Sequence, residues 1–170
     1  MREIYRPPAL SLREAILADA AIALSWTPED DALRRWAGPS TRCPATAESL
    51  WADISGPEAS TFAGVTAETG FVAFGQVRFR EQAYGHLARL IVDPSRRGQG
   101  LGRALCLALM REAVHRHPIK AFSLYVYPNN HPAVALYRSL GYREQGMHPH
   151  HNCVLMVAPL SVPGADRPGP

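Results

Sequence analysis

The sequence is poor in lysine and cysteine and has no long hydrophobic run. Lys120 is its single lysine, its arginines are scattered, and its net charge is +3, so we expect no nucleic-acid partner. No apolar stretch approaches the roughly 18 residues that a membrane span requires, and no signal-peptide pattern opens the sequence. We therefore expect no membrane partner and a cytoplasmic protein.

The cysteines argue against two further classes of protein. Cys43, Cys106 and Cys153 are odd in number and widely spaced, which favours neither a disulfide framework nor a C-x-x-C metal site. Three histidines lie in residues 148–151, just before Cys153, but their spacing fits no common zinc-ligand pattern. A turn between two strands explains that cluster, and we expect no metal.

Length and composition indicate a single globular domain. The 170 residues are 46% hydrophobic and 19% charged, which is ordinary for a chain with a substantial core. The last twelve residues contain four prolines and two glycines, a composition typical of disordered tails. We predict one domain over residues 1–158 and a disordered tail over residues 159–170.

The most informative stretch runs from Leu90 to Leu109. An apolar run ends at Val92, a basic loop with glycines follows, and an apolar pattern at helical spacing begins at Leu101, which predicts a strand, a loop and a helix. A helix N-terminus has unpaired N–H groups and partial positive charge, so it attracts phosphate. The loop residues that let a pyrophosphate approach, or that donate to it, are Gly98, Gly100, Gly102, Arg96, Arg97 and Arg103.

Two familiar glycine loops do not fit this stretch. A Walker A loop requires Gly-Lys-Ser/Thr, whereas Gly102 is followed by Arg103 and Ala104. The dinucleotide fingerprint requires G-x-G-x-x-G and an acidic residue roughly 20 residues later. The spacing here is G-x-G-x-G, and residues 117–122 contain no carboxylate, so we reject both interpretations.

The pattern that remains, R-x-x-G-x-G over residues 97–102, resembles the coenzyme A loop of the GNAT superfamily of N-acetyltransferases. A second similarity follows about 30 residues later. Residues 130–137 match the family motif Asn-x-x-Ala-x-x-Leu-Tyr, and Leu140-Gly141-Tyr142 matches its Leu-Gly-Phe/Tyr close. Two motifs in the family's order and separation identify the chain as a member, and the resemblance covers about residues 60–158.

The resemblance implies an α/β fold. In this family a mixed, mostly antiparallel twisted sheet of about 6–7 strands contains a central parallel pair that splays apart, and about four helices flank the sheet. The pantetheine arm of the coenzyme lies in the gap between the two parallel strands.

Local patterns place the elements along the chain. We predict strands at residues 4–8, 62–65, 71–77, 86–92, 121–127, 142–145 and 152–158. We predict helices at residues 12–24, 28–37 with Thr27 as cap, a short one from Thr46, 100–117 and 132–140. Trp26, Trp36 and Trp51 lie in the early helical region, and we expect them to pack the core rather than line a pocket.

The resemblance also implies which residues hold acetyl-CoA, the expected acyl donor. The glycine loop would bind the pyrophosphate, and backbone groups near Val92 would bind the pantetheine arm and stabilise the developing oxyanion. Asn130 would contact the coenzyme arm, with helix N-capping as the alternative. The predicted coenzyme-binding residues are Leu90, Ile91, Val92, Arg97, Gly98, Gln99, Gly100, Leu101, Gly102, Arg103 and Asn130.

Two residues are candidates for catalysis. Tyr137 matches the family's general acid, which would protonate the leaving thiolate, with core packing as the alternative. His86 takes the place of a glutamate found in many relatives. An imidazole with a pKa near the usual value of about 6.5 can accept a proton from an ammonium at neutral pH, directly or through water. The alternatives are a water chain as the base and a surface histidine beside a turn.

The function that the resemblance implies is transfer of an acetyl group from acetyl-CoA to a primary amine of a small molecule. The amine would attack directly in a ternary complex, because no cysteine lies at a nucleophile position. Two alternatives stay open: an N-acetyltransferase acting on a protein N-terminus or lysine, and a non-catalytic acyl-CoA sensor. The expected partners are acetyl-CoA and the amine, and a homodimer is a further candidate assembly.

Overall fold

The computed structural model describes residues 9–160, which form seven strands and five α-helices. The strands are β1 (Ser11–Glu14), β2 (Ala59–Thr66), β3 (Gly70–Arg80), β4 (Tyr84–Val92), β5 (Ala121–Val126), β6 (Arg143–Met147) and β7 (Val154–Pro159). The helices are α1 (Leu17–Ser25), α2 (Asp30–Ala37), α3 (Ala47–Ile54), α4 (Leu101–Arg116) and α5 (His131–Ser139).

All seven strands form one mixed sheet in the order β1-β2-β3-β4-β5-β7-β6. Only β4 and β5 are parallel, and α4 makes the crossover between them. The predicted α/β fold with a central parallel pair is therefore confirmed, with one helix more than the four expected.

The amino-terminal prediction is partly wrong. The strand predicted at residues 4–8 lies outside the described residues. Residues 12–14, predicted as the start of a helix, belong to strand β1, which pairs with β2. Arg13 of β1 also forms an ion pair at 2.6 Å with Asp19 of α1. Hydrogen bonding to β2 at the sheet edge outweighs the high helix propensity of Leu12, Arg13 and Glu14.

The helix caps in this region differ from one another. Thr27 does not cap α2: its hydroxyl donates to the Leu24 carbonyl at 3.0 Å and closes the end of α1, while α2 begins after Glu29. Thr46 caps α3 as predicted, because its hydroxyl accepts from the Ser49 N–H at 3.1 Å.

At the carboxyl end, β7 includes Pro159, which is in register with Ala121 of β5. The last strand therefore extends one residue beyond the predicted domain boundary. Leu160 is also described, and its N–H donates to the Lys120 carbonyl at 3.3 Å. The predicted tail from residue 161 onward lies outside the described residues.

The two faces of the sheet pack against different layers. Alternate residues of β5, such as Phe122 and Leu124, face the core beneath α4. Phe74 and Ile91 face a second core formed with α1, α2 and α3. Trp36 and Trp51 belong to this second core, and Trp26 stacks on Phe71 at 5.2 Å between ring centroids. The side of the sheet that carries α1–α3 also carries the candidate site.

Candidate active site

A loop leads from β4 into the N-terminus of α4. The first intrahelical bond joins the Ala104 N–H to the Gly100 carbonyl at 3.0 Å, so the N–H groups of the preceding turn have no partner in the helix. Gly98 and Gly100 both have φ of 77°, in the left-handed region that favours glycine. This end of α4 therefore presents backbone donors and positive charge suited to a phosphate.

Side chains around the loop hold its shape. The Asp93 carboxylate accepts from the N–H and the hydroxyl of Ser95 at 2.9 and 2.7 Å, which lowers the pKa of Asp93. Arg103 donates to the Ser139 hydroxyl of α5 at 2.9 Å. The guanidinium of Arg103 is therefore already hydrogen-bonded. Of the two predicted side-chain donors, Arg97 and Arg103, the exposed Arg97 is better placed to bind an anion at the loop.

Strand β4 contains a bulge opposite Gly75. Two residues of β4, Arg89 and Leu90, stand opposite this one residue of β3. A Cβ at Gly75 would lie 2.8 Å from Cδ1 of Leu109 and 3.0 Å from Cδ2 of Leu90, so a larger residue here would require these leucine side chains to shift.

Three hydrogen bonds hold the bulged residue Arg89 in its left-handed backbone conformation of φ 53°. Its carbonyl accepts from Nε1 of Trp36 at 2.8 Å. Its guanidinium donates to the Ala37 carbonyl at 3.0 Å and to Oε1 of Gln76 at 2.8 Å. Helix α2 and strand β3 thus fix the backbone of β4 at this point.

The parallel pair separates next to the bulge. The pairing of β4 with β5 ends at Leu87 and Leu124, and within the described chain residues 88–92 have no register partner on β5. An unpaired strand edge can bind an extended chain through backbone hydrogen bonds. A cleft of about 710 Å³ opens here, lined by residues of α2, β3, β4, β5 and the turn before β7.

Asn130 and Tyr137 line this cleft from α5 and the residue before it. The Asn130 carboxamide oxygen accepts from the Ala133 N–H at 3.4 Å, so the residue caps α5 and still keeps its NH₂ donors for a ligand. Tyr137 is 9% exposed, and burial raises the pKa of its phenol. The phenol therefore stays protonated at physiological pH.

Comparison with known proteins identifies the family. The family model described as "Acetyltransferase (GNAT) family" matches residues 29–142, more than half of the chain and including the bulge, the glycine loop and α5. The chain belongs to the GNAT family. A mycothiol acetyltransferase from Saccharomonospora viridis is 34% identical to this GNAT chain in an alignment of 142 residues; the alignment covers 76% of this chain and 42% of the relative. The chain thus spans less than half the length of that curated relative.

Solved structures of N-acetyltransferases share the fold. Spermidine N-acetyltransferase from Vibrio cholerae, solved with CoA and spermine, has a TM-score of 0.75 at 16% identity and covers 90% of this chain and 96% of its own. The ribosomal-protein-S18-alanine N-acetyltransferase from Escherichia coli has a TM-score of 0.65 at 22% identity, with coverage of 94% and 99%. At these identities the likeness establishes the fold alone.

His86 lies in the cleft, but its environment differs from the one expected. The residue is 4% exposed, and its Nδ1 lies 2.9 Å from the Ser123 hydroxyl. Burial, followed by the charges of Arg80, Arg78 and Arg89, lowers the pKa of His86 to about 3. The predicted pKa near 6.5 and the alternative of a surface histidine are therefore both wrong, and His86 is a buried neutral imidazole.

An aromatic and imidazole cluster extends from His86 toward the turn before β7. Tyr125 lies 5.3 Å from His86 and 4.9 Å from His148 between ring centroids, and His148 lies 4.6 Å from His151. Within residues 9–160, no group of three or more histidine, cysteine or acidic side chains is arranged to hold a metal ion. In the same range no helix has the length and apolar character of a membrane span.

The structure places the predicted site residues in two neighbouring regions. Residues 97–100 form the loop before α4 and residues 101–103 lie in its first turn, while Leu90, His86, Asn130 and Tyr137 line the cleft. Ile91 and Val92 lie on the edge of β4 that β5 leaves unpaired.

Sequence reasoning missed several cleft residues and misjudged one. Trp36 lines the cleft and binds the bulge as well as packing the core. Tyr125 and the cleft arginines were not predicted. Arg78 and Arg80 lie beyond the strand predicted at residues 71–77, whereas β3 extends to Arg80 and places both on one face of the sheet.

Proposed function

We propose that this protein transfers an acetyl group from acetyl-CoA to a primary amine of a small molecule, by direct attack within a ternary complex. The observation that carries the proposal is the unpaired edge of β4, which lies between an anion-suited helix N-terminus and a cleft lined by Tyr137. Family membership also supports the proposal, since the region matched by the family model contains the β4 edge, the N-terminus of α4 and Tyr137.

The chain's residues fit a coenzyme made of a pyrophosphate and an extended amide-bearing arm. Gly98, Gly100 and the first turn of α4 would bind the pyrophosphate with backbone N–H groups, and Arg97 would add a cationic donor. Leu90, Ile91 and Val92 would bind the arm through their backbone, with Asn130 donating from the opposite side. The coenzyme supplies an activated thioester.

In the proposed reaction the amine nitrogen bonds to the thioester carbonyl carbon, the carbon–sulfur bond breaks, and the nitrogen loses a proton. An N–H of the opened β4 edge would stabilise the negative charge that develops on the carbonyl oxygen. Tyr137 would donate its hydroxyl proton to the departing sulfur. Because burial raises its pKa, the resulting phenolate would take a proton back rapidly from solvent in the cleft.

The low pKa of His86 changes how the amine is expected to lose its proton, because the sequence-based hypothesis had His86 as the base with an ordinary pKa. A folded-state pKa of about 3 makes His86 a weak base, although its neutral ring can accept a hydrogen bond from the amine. The positive charges that lower the pKa of His86 would also lower that of an ammonium beside it. We propose that His86 orients the amine and that water in the cleft carries its proton away.

A small acceptor is supported by the walls of the cleft. The segment that connects α2 to α3 lines one side, with residues such as Ser40, and the turn before β7 lines the other, with His148 and His151. Walls from two separate segments, close to the opened edge, suit a compact amine.

The experiment begins with thermal unfolding in the presence of acetyl-CoA, with ADP and NAD as controls. At about 100 times the dissociation constant, coenzyme binding stabilises by roughly 2.7 kcal/mol, which raises Tm by roughly 5–10 °C for a chain of this size. A panel of amines and peptides is then screened for thiol release. An equal shift with ADP or NAD would refute the proposal that the protein binds acetyl-CoA specifically. Turnover with peptides alone would favour a protein acceptor. Coenzyme binding without turnover of any amine would favour a non-catalytic sensor.

A further inference from the structure

The cleft beside the parallel pair is strongly basic. Its lining contains six arginines and a single carboxylate, that of Asp53; the arginines are Arg34, Arg35, Arg42, Arg78, Arg80 and Arg89. The residues 96–103 that would bind the pyrophosphate are not part of this lining. The phosphates at the α4 loop therefore do not account for these arginines.

Three of the six guanidiniums already have partners. Arg42 donates to Asp53 at 2.9 Å. Arg35 donates to the Asn129 side chain at 3.0 Å, lies 3.6 Å from Asp31, and sits over the Tyr127 ring at 5.5 Å. The Arg89 guanidinium donates to the Ala37 carbonyl and to the Gln76 side chain. These contacts satisfy the cleft's one carboxylate and leave no acid for the remaining arginines.

The other three are Arg34, Arg78 and Arg80, whose side chains make no hydrogen bond or ion pair with residues 9–160. Arg78 and Arg80 are two apart on β3, so they project from the same face of the sheet. They stand in register with His86 and Tyr84 of β4. Their face is the one that carries His86 and Tyr125, next to the place where the amine would react.

An ammonium ion entering this region would be repelled by the surrounding guanidiniums, and a polycation more so. An acceptor that also carries an anionic group would compensate that repulsion, and guanidiniums form strong charge-assisted hydrogen bonds with carboxylate and phosphate. We propose that the acceptor is an amine bearing a carboxylate or phosphate, held by Arg78 and Arg80 with its amino group directed to His86. This inference rests on the proposed acetyl transfer.

The test uses matched pairs of amines that differ only in the anionic group. An α-amino acid is compared with its carboxamide, phosphoethanolamine with ethanolamine, and spermidine serves as a polycation. Each is titrated calorimetrically into the protein, with and without coenzyme A, and each is assayed for thiol release from acetyl-CoA. The carboxylate and phosphate pairs distinguish the two kinds of anion.

We expect the anionic member of at least one pair to bind about tenfold tighter or more, the effect of one charge-assisted hydrogen bond. Arg78→Gln and Arg80→Gln, alone and together, should reduce this preference to less than about threefold and leave the acetyl-CoA affinity unchanged. Arg111→Gln, on an exposed part of α4 outside the cleft, should keep the full preference. Circular dichroism and the unfolding midpoint confirm that the variants are folded.

Several results would overturn the anionic acceptor. These are equal binding within every pair, a preference that survives in the double variant, tighter binding of spermidine, or a loss of coenzyme affinity instead of acceptor preference. If the best acceptor is an amine without an anionic group, the proposed acetyl transfer is supported and the inference of an anionic acceptor fails. If the protein binds no coenzyme but keeps an arginine-dependent anion preference, the acetyltransferase proposal fails and the anion site stands.

Discussion

Acidification from pH 7 to pH 5 should weaken the fold through one buried side chain, His86. The pKa of this residue is about 3 in the folded protein and about 6.5 when the chain is unfolded. Between these values the unfolded state binds a proton that the folded state does not, so the stability present above pH 6.5 is lost as the pH falls toward 3. The free energy of unfolding should therefore decrease with a limiting slope of about 1.4 kcal/mol per pH unit.

From pH 7 to pH 5 this single group accounts for a loss of about 2 kcal/mol. Asp19 does not contribute to this loss between pH 7 and pH 5. Although burial favours its neutral form, Arg13 and the Ile16 N–H lower the pKa of its carboxyl, so the stability that depends on this carboxylate is lost only at more acidic pH. Urea unfolding at pH 7, 6 and 5 measures the free energy for the wild type and for His86→Gln, which cannot ionise. The variant should lose about 2 kcal/mol less than the wild type.

His115→Gln is the matched control, since it removes an exposed imidazole from the last turn of α4. It should keep the pH dependence of the wild type. If His86→Gln and the wild type lose the same stability between pH 7 and pH 5, then His86 is not held neutral by burial and its arginine neighbours. The argument that water, rather than this imidazole, takes the proton of the amine would then fail with it.

Two further substitutions test the proposed chemistry. Tyr137→Phe should lower kcat about 10²–10⁴ fold with little change in the calorimetric affinity for acetyl-CoA. The control Tyr84→Phe, outside the cleft, should not affect kcat. Full turnover by Tyr137→Phe would show that the phenol is not the general acid. Trp36→Phe removes the 2.8 Å bond to the Arg89 carbonyl, so it should destabilise by about 1 kcal/mol and weaken acetyl-CoA binding more than Trp51→Phe does. Equal coenzyme affinities in the two tryptophan variants would mean that the bulge does not depend on the indole.

The elements closest to the coenzyme loop were the most predictable. Pro94 ends a strand, the glycines require a loop, and the apolar spacing from Leu101 requires a helix, so each boundary depends on a few consecutive residues. The amino-terminal region was predicted less well, because strand β1 contains Leu12, Arg13 and Glu14, whose high helix propensity indicates the wrong conformation. Pairing with β2 decides its conformation, and that partner lies about 50 residues away along the chain.

Local pattern and motif spacing, by themselves, determined the order of most elements, the family, and the candidate roles of the glycine loop and Tyr137. Those features depend on residues close together along the chain. Only the tertiary structure decided the state of His86 and the charge of the cleft. Burial and the convergence of guanidiniums from β3 and β4 set the pKa of the imidazole, and the lining of the cleft comes from segments between Arg34 and Cys153. Such through-space effects have no counterpart in local sequence, because desolvation and Coulomb interaction depend on distance in the folded chain.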